Sequence, residues 1–74
     1  MLSLLYELEG YRARVERDRE GVLHGRVIEI DATITFKAQT IRLVERNFAR
    51  ALEAYFERCR LLGTEPEEPN PLGF

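Results

Sequence analysis

The chain has 74 residues, of which 45% are apolar and 32% charged, an ordinary globular balance for one small domain that argues against a disordered chain. Eleven basic residues against 13 acidic ones give a net charge of −2 and a pI of about 5.4, a poor basis for general nucleic-acid binding, which phosphate neutralisation drives. The single Cys59 excludes an internal disulfide and a multi-cysteine zinc site. No apolar run approaches the roughly 20 residues of a bilayer span, so a cytoplasmic protein without membrane contact is expected.

The start, Met1-Leu2-Ser3-Leu4-Leu5, is apolar but has no basic flank and runs into Glu7 and Glu9, so it does not read as a signal peptide. From 11 to 16 the pattern alternates strictly, with Tyr11, Ala13 and Val15 on one side and Arg12, Arg14 and Glu16 on the other. Period two predicts a strand with one wet face. Asp18-Arg19-Glu20-Gly21 reads as a hairpin loop. A second strand is expected over 22–30, with Gly25 inside it marking a bulge or the close approach of another group. Asp31-Ala32 is a short turn, and 33–36 is a third strand with Ile34 and Phe36 facing one way. Short connections predict an antiparallel meander.

Ile41, Val44, Phe48, Leu52, Tyr55, Cys59 and Leu62 then recur at steps of three or four, which predicts one long helix over 40–62. Arg42, Arg46, Arg50, Glu53, Glu57 and Arg60 fall off that stripe and face water. Thr40 stands at the N-cap without a capping box, and Gly63 stands where a left-handed C-cap belongs. Arg58 and Arg60 complement the helix dipole. The stretch 64–74 holds Pro66, Pro69 and Pro71 with Glu65, Glu67 and Glu68 and reads as an extended tail. The fold class is α+β: a three-stranded antiparallel meander with one long C-terminal helix packed on the sheet. Tyr11, Ala13, Val15, Val27, Ile34, Phe36, Phe48, Leu52, Tyr55 and Cys59 are its expected core. Leu2, Leu4, Leu5, Tyr6 and Phe56 are left over, and a chain this small buries little apolar surface alone, so a homo-oligomer is expected.

Groups that could carry chemistry are few. His24 has no Ser or Cys near it in sequence and reads as structural or surface rather than as a general base. Cys59 lies on the helix stripe, which suits a small buried apolar residue better than a nucleophile. Asp18, Glu29 and Asp31 sit at strand ends, where Asp is common for backbone reasons, and do not make a convincing metal set. Arg12, Arg14 and Arg26 form a basic face on the sheet if their strands pair suitably, but Glu16 and Glu29 dilute it, which reads as a mixed, solvated surface lacking the aromatic pairs that stack RNA bases. No cofactor is implied.

The residues as an ordered set resemble the HicB-like antitoxin family of toxin–antitoxin systems. The run includes Gly10-Tyr11, Ala13, Val15-Glu16, Asp18, Gly21, Gly25 and Val27, then Ile34-Thr35-Phe36 and Thr40. It continues through Phe48, Tyr55 and Cys59 to Gly63, Pro66 and Pro69, about residues 10 to 70. The chain departs from the family pattern at Ala54, Ala38-Gln39, Arg42-Leu43 and Leu72-Gly73. Family members often continue into a ribbon-helix-helix or helix-turn-helix segment that binds operator DNA. This chain ends at Phe74 without one, and DNA binding is expected to be weak or absent. The resemblance implies one HicB-like domain over 1–74, with a partly ribonuclease-H-like sheet, that neutralises a small basic HicA-type RNA-cleaving toxin without being an enzyme. Glu16, Glu29, Glu65, Glu67 and Glu68 are the candidate carboxylates for meeting that partner. The other reading is an orphan oligomeric domain that binds another protein or a small ligand.

Overall fold

Four strands precede the helix, one more than the sequence predicts. In a computed structural model that describes residues 3–70, the order is β1 (Ser3–Leu8), β2 (Tyr11–Arg17), β3 (Leu23–Ile28), β4 (Thr35–Ala38) and α1 (Ile41–Leu62). Met1, Leu2, Pro71 and the Leu72-Gly73 step lie outside the described residues. The strands form one antiparallel sheet in sequence order, so the expected meander is present with an extra strand at its edge.

The extra strand comes from the apolar start of the chain. Glu9 (φ 51°) and Gly10 (φ 84°) both take positive φ, the signature of the two-residue turn whose twist matches a right-handed hairpin. That turn closes Leu8 on Tyr11 and sets Leu4 opposite Val15 and Tyr6 opposite Ala13. Leu4 and Tyr6, left over in the three-stranded count, are half-buried against the core, and Leu5 stays 53% exposed.

The β2–β3 loop is built by Asp18. Its Oδ1 accepts from the N–H groups of Glu20 (2.8 Å) and Val22 (3.0 Å), and Gly21 supplies a φ of 87°. β3 is shorter at both ends than expected, and β4 lies two residues later. Ile34, just before β4, is nonetheless buried, its carbonyl accepting the Val27 N–H (2.9 Å), and Phe36 points into the core as predicted. Phe36 explains Gly25. The two are cross-strand partners, and the Phe36 ring lies where a Cβ on Gly25 would stand. The same ring stacks on Phe48 of α1, with centroids 5.3 Å apart and planes 9° from parallel.

The helix buries Val44, Phe48, Leu52, Tyr55 and Cys59, the middle of the predicted stripe. Its ends differ from expectation: Ile41 is 47% exposed and Leu62 70%. A helix of 22 residues is about 33 Å long, whereas strands of six or seven residues span about 20–23 Å, so both helix ends overhang the sheet. Thr40 is extended at the N-cap with no side-chain cap, while Gly63 ends the helix at φ 72°. Leu23, Ala38 and Val44 complete a second core cluster with Val15.

The tail is tied down. Tyr11 Oη donates to the Glu67 carbonyl (2.5 Å), and the Glu67 N–H donates to Tyr55 Oη (2.8 Å). The Glu67 carboxylate accepts the N–H groups of Asp31 and Ala32, each at 2.7 Å, and so caps the β3–β4 connection. Asn70 N–H donates to the Glu29 carbonyl (2.8 Å). Burial raises the phenol pKa of both Tyr11 and Tyr55. No helix among the described residues is long and apolar enough to cross a membrane.

Candidate functional site

One face of the sheet is covered by α1. The other carries the outward residues of all four strands, and the registers order them into rows. Ser3, Glu16, His24 and Lys37 form one row; Leu5, Arg14, Arg26 and Thr35 form the next; Glu7, Arg12 and Ile28 begin a third. Over β2, β3 and β4 this face holds an open concavity of about 810 Å³, lined by Arg14, Glu16, His24, Arg26, Thr35 and Lys37 among others.

Charge on this face is unevenly neutralised. Arg12 is held by Glu29 in a two-pronged pair, Nε to Oε1 at 3.1 Å and an Nη to Oε2 at 2.6 Å. That bond raises the Arg12 pKa further. Glu29 reaches it from a left-handed backbone, φ 71°. His24 Nε2 lies 2.7 Å from Asp18 Oδ2, and this hydrogen bond lowers the Asp18 pKa. Arg14 and Arg26, by contrast, stand directly opposite each other on β2 and β3, both exposed. Like charges so placed repel. Lys37 is exposed nearby. The face therefore offers a cationic strip beside the carboxylate of Glu16, with Leu5 and Ile28 as its apolar surface.

The five candidate carboxylates divide. Glu16 is exposed on this face, and Glu65 and Glu68 are exposed in the tail. Glu29 is engaged with Arg12, and Glu67 is half-buried as a backbone cap. Asp18, Glu29 and Asp31 are not brought together into a metal-binding group. Cys59 is buried in the core between helix and sheet. His24 faces out, paired with Asp18 of the β2–β3 loop.

Lys37 was not singled out by sequence, and the Arg14–Arg26 opposition was not visible either. The signal for the latter lay in the loop: once Asp18 to Val22 is read as the full connection, Arg17 closes on Leu23 and Arg14 falls opposite Arg26 by counting. The chain matches no known protein family, no curated protein and no solved structure.

Proposed function

We propose that the chain is a non-catalytic, HicB-like antitoxin domain that binds and neutralises a small basic HicA-type, RNA-cleaving toxin in the cytoplasm. The observation that carries the reading of a binding module is the uncovered sheet face: β2, β3 and β4 line an open, charged concavity, and no element among the described residues packs over it. Residues behind the family resemblance also have a physical task here. Gly10 and Gly21 supply positive φ, Gly25 admits the Phe36 ring, Tyr11 and Tyr55 hold the tail, and Gly63 caps the helix. Those tasks support the HicB-like assignment of the fold; the partner follows from the resemblance. Glu16, Glu65 and Glu68 are the exposed members of the candidate set for steering a basic partner.

A second reading is favoured by the Arg14–Arg26 pair, which suits an anionic ligand or an acidic protein segment better than a basic toxin. It is the orphan-domain reading. The neighbouring reading frames separate the two. If one encodes a short basic protein, its expression alone should arrest growth, and co-expression of this chain should restore growth and co-purify with it. Glu16→Arg combined with Glu65→Arg and Glu68→Arg should weaken that complex. Absence of rescue and of co-purification removes the antitoxin reading.

A further inference from the structure

The two edges of the sheet are treated differently. At the β4 edge, α1 packs alongside, and Asn47 Nδ2 donates to the Lys37 carbonyl at 2.7 Å. Among the described residues, no backbone hydrogen bond beyond the ladder to β2 reaches Ser3–Leu8 at the other edge. Nor does β1 carry the usual defences of an edge. It has six residues, as long as β3, with no Pro, no Lys or Arg, no positive φ, and one charge at Glu7. Such an edge is a template for another strand.

We propose that β1 pairs antiparallel with β1 of a second copy, about a two-fold axis through Leu5 perpendicular to the sheet. The self-match decides the occupant. A perpendicular two-fold keeps each side chain on its own face, so the registers it allows are those centred on a residue. Centred on Leu5, Leu5 meets Leu5, Leu4 meets Tyr6, and Ser3 meets Glu7. Half-buried Leu4 and Tyr6 then cover each other on the helix side, and the exposed Leu5 covers its counterpart on the open side. Centring on Tyr6 would set each Glu7 against Leu5, and centring on Glu7 would set two carboxylates face to face.

The product is a continuous eight-stranded sheet with both helices on one side and both open faces on the other. Leu5, Arg14, Arg26 and Thr35 already form one row in each copy. The Leu5-centred register carries that row straight through the axis. Four arginines then flank two leucines across a single surface that neither copy has alone. This dimer does not rest on the antitoxin reading and survives its failure.

Sedimentation equilibrium of the full chain at high micromolar concentration should give twice 8.6 kDa. Leu5→Lys changes an exposed side chain, so the fold should be retained by circular dichroism while the mass falls to that of one chain. Mild oxidation of Leu5→Cys should give a covalent dimer; oxidation of Glu7→Cys alone should not, and Ser3→Cys mixed with Glu7→Cys should. The buried Cys59 serves as the internal control in the unsubstituted chain. A monomeric wild type, a dimer indifferent to Leu5→Lys, or self-linking through Glu7→Cys in place of Leu5→Cys would each overturn the proposal.

Discussion

On the helix side of the sheet, Ala13, Val15, Val44, Phe48 and Leu52 are fully buried and interlock through the Phe36–Phe48 stack. On the opposite side, Arg14, Glu16, His24, Arg26 and Lys37 stand in solvent, and two of the cations face each other. The same strands build both faces. One is held by close packing, where a methylene matters; the other is governed by charge in water, where a substitution costs little and changes what can bind. Stability is therefore concentrated on one side, and the charge pattern of the other is free to vary.

The packed side should break first. Leu52 is fully buried, so Leu52→Ala should cost about 2–5 kcal/mol, a large share of the stability of so small a domain. Urea denaturation checks it, and a loss below about 1 kcal/mol would mean the helix does not seat as described. Gly25→Ala should follow, at about 1–3 kcal/mol, because the added methyl would stand inside the Phe36 ring and that ring is pinned against Phe48. Phe36→Leu should recover part of the loss in the double variant, so the two changes should be strongly non-additive.

That contrast also explains what could be read from sequence. Alternation in 11–16 and the stripe from Val44 to Cys59 are one-sided burial written directly into residue order, and both landed on the right elements. Gly25 could be flagged as a close approach, although its neighbour could not be named until β4 was paired. β1 escaped because Leu5 interrupts the alternation of Leu4, Tyr6 and Leu8, and because Glu9-Gly10 is not one of the familiar hairpin dipeptides. The open face was legible as mixed charge. Its pairing was not, because register is a property of two strands together. The part played by Glu67 was invisible for a similar reason: a Pro/Glu-rich tail reads as solvated, and nothing local shows that two tyrosines 56 and 12 residues away will hold its backbone.

The tail strap is the seam between the two sides, and its effects should be intermediate. Glu67→Ala removes the acceptor for the Asp31 and Ala32 N–H groups. A cost of about 1–2 kcal/mol is expected, with faster hydrogen exchange at those two amides. Tyr11 and Tyr55 add a pH signature. Folding raises both phenol pKa values, so their contribution is complete below the unfolded value near 10 and fades as pH rises through the folded ones. Phenolate absorbance should lag that of a denatured sample, and the lag should shrink in Glu67→Ala if the strap helps to keep water from the rings.

The smallest effect should come from the exposed hairpin at the charged side. Folding lowers the Asp18 pKa, first through its hydrogen bond to His24. A lowered carboxylate pKa stabilises the fold above the unfolded value of roughly 3.9, and that contribution is lost as pH falls through the folded value. Asp18→Asn keeps an oxygen for the N–H groups of Glu20 and Val22 but loses the charge that faces His24. At low salt, the variant should be slightly less stable than wild type at pH 5, and the gap should close as the acid limb is descended. Because the pair is exposed, added salt should narrow the gap at pH 5 as well. A gap that widened toward low pH would reverse the sign of this linkage and would place the hairpin's stability in its backbone turn alone, leaving charge on the open face free for binding.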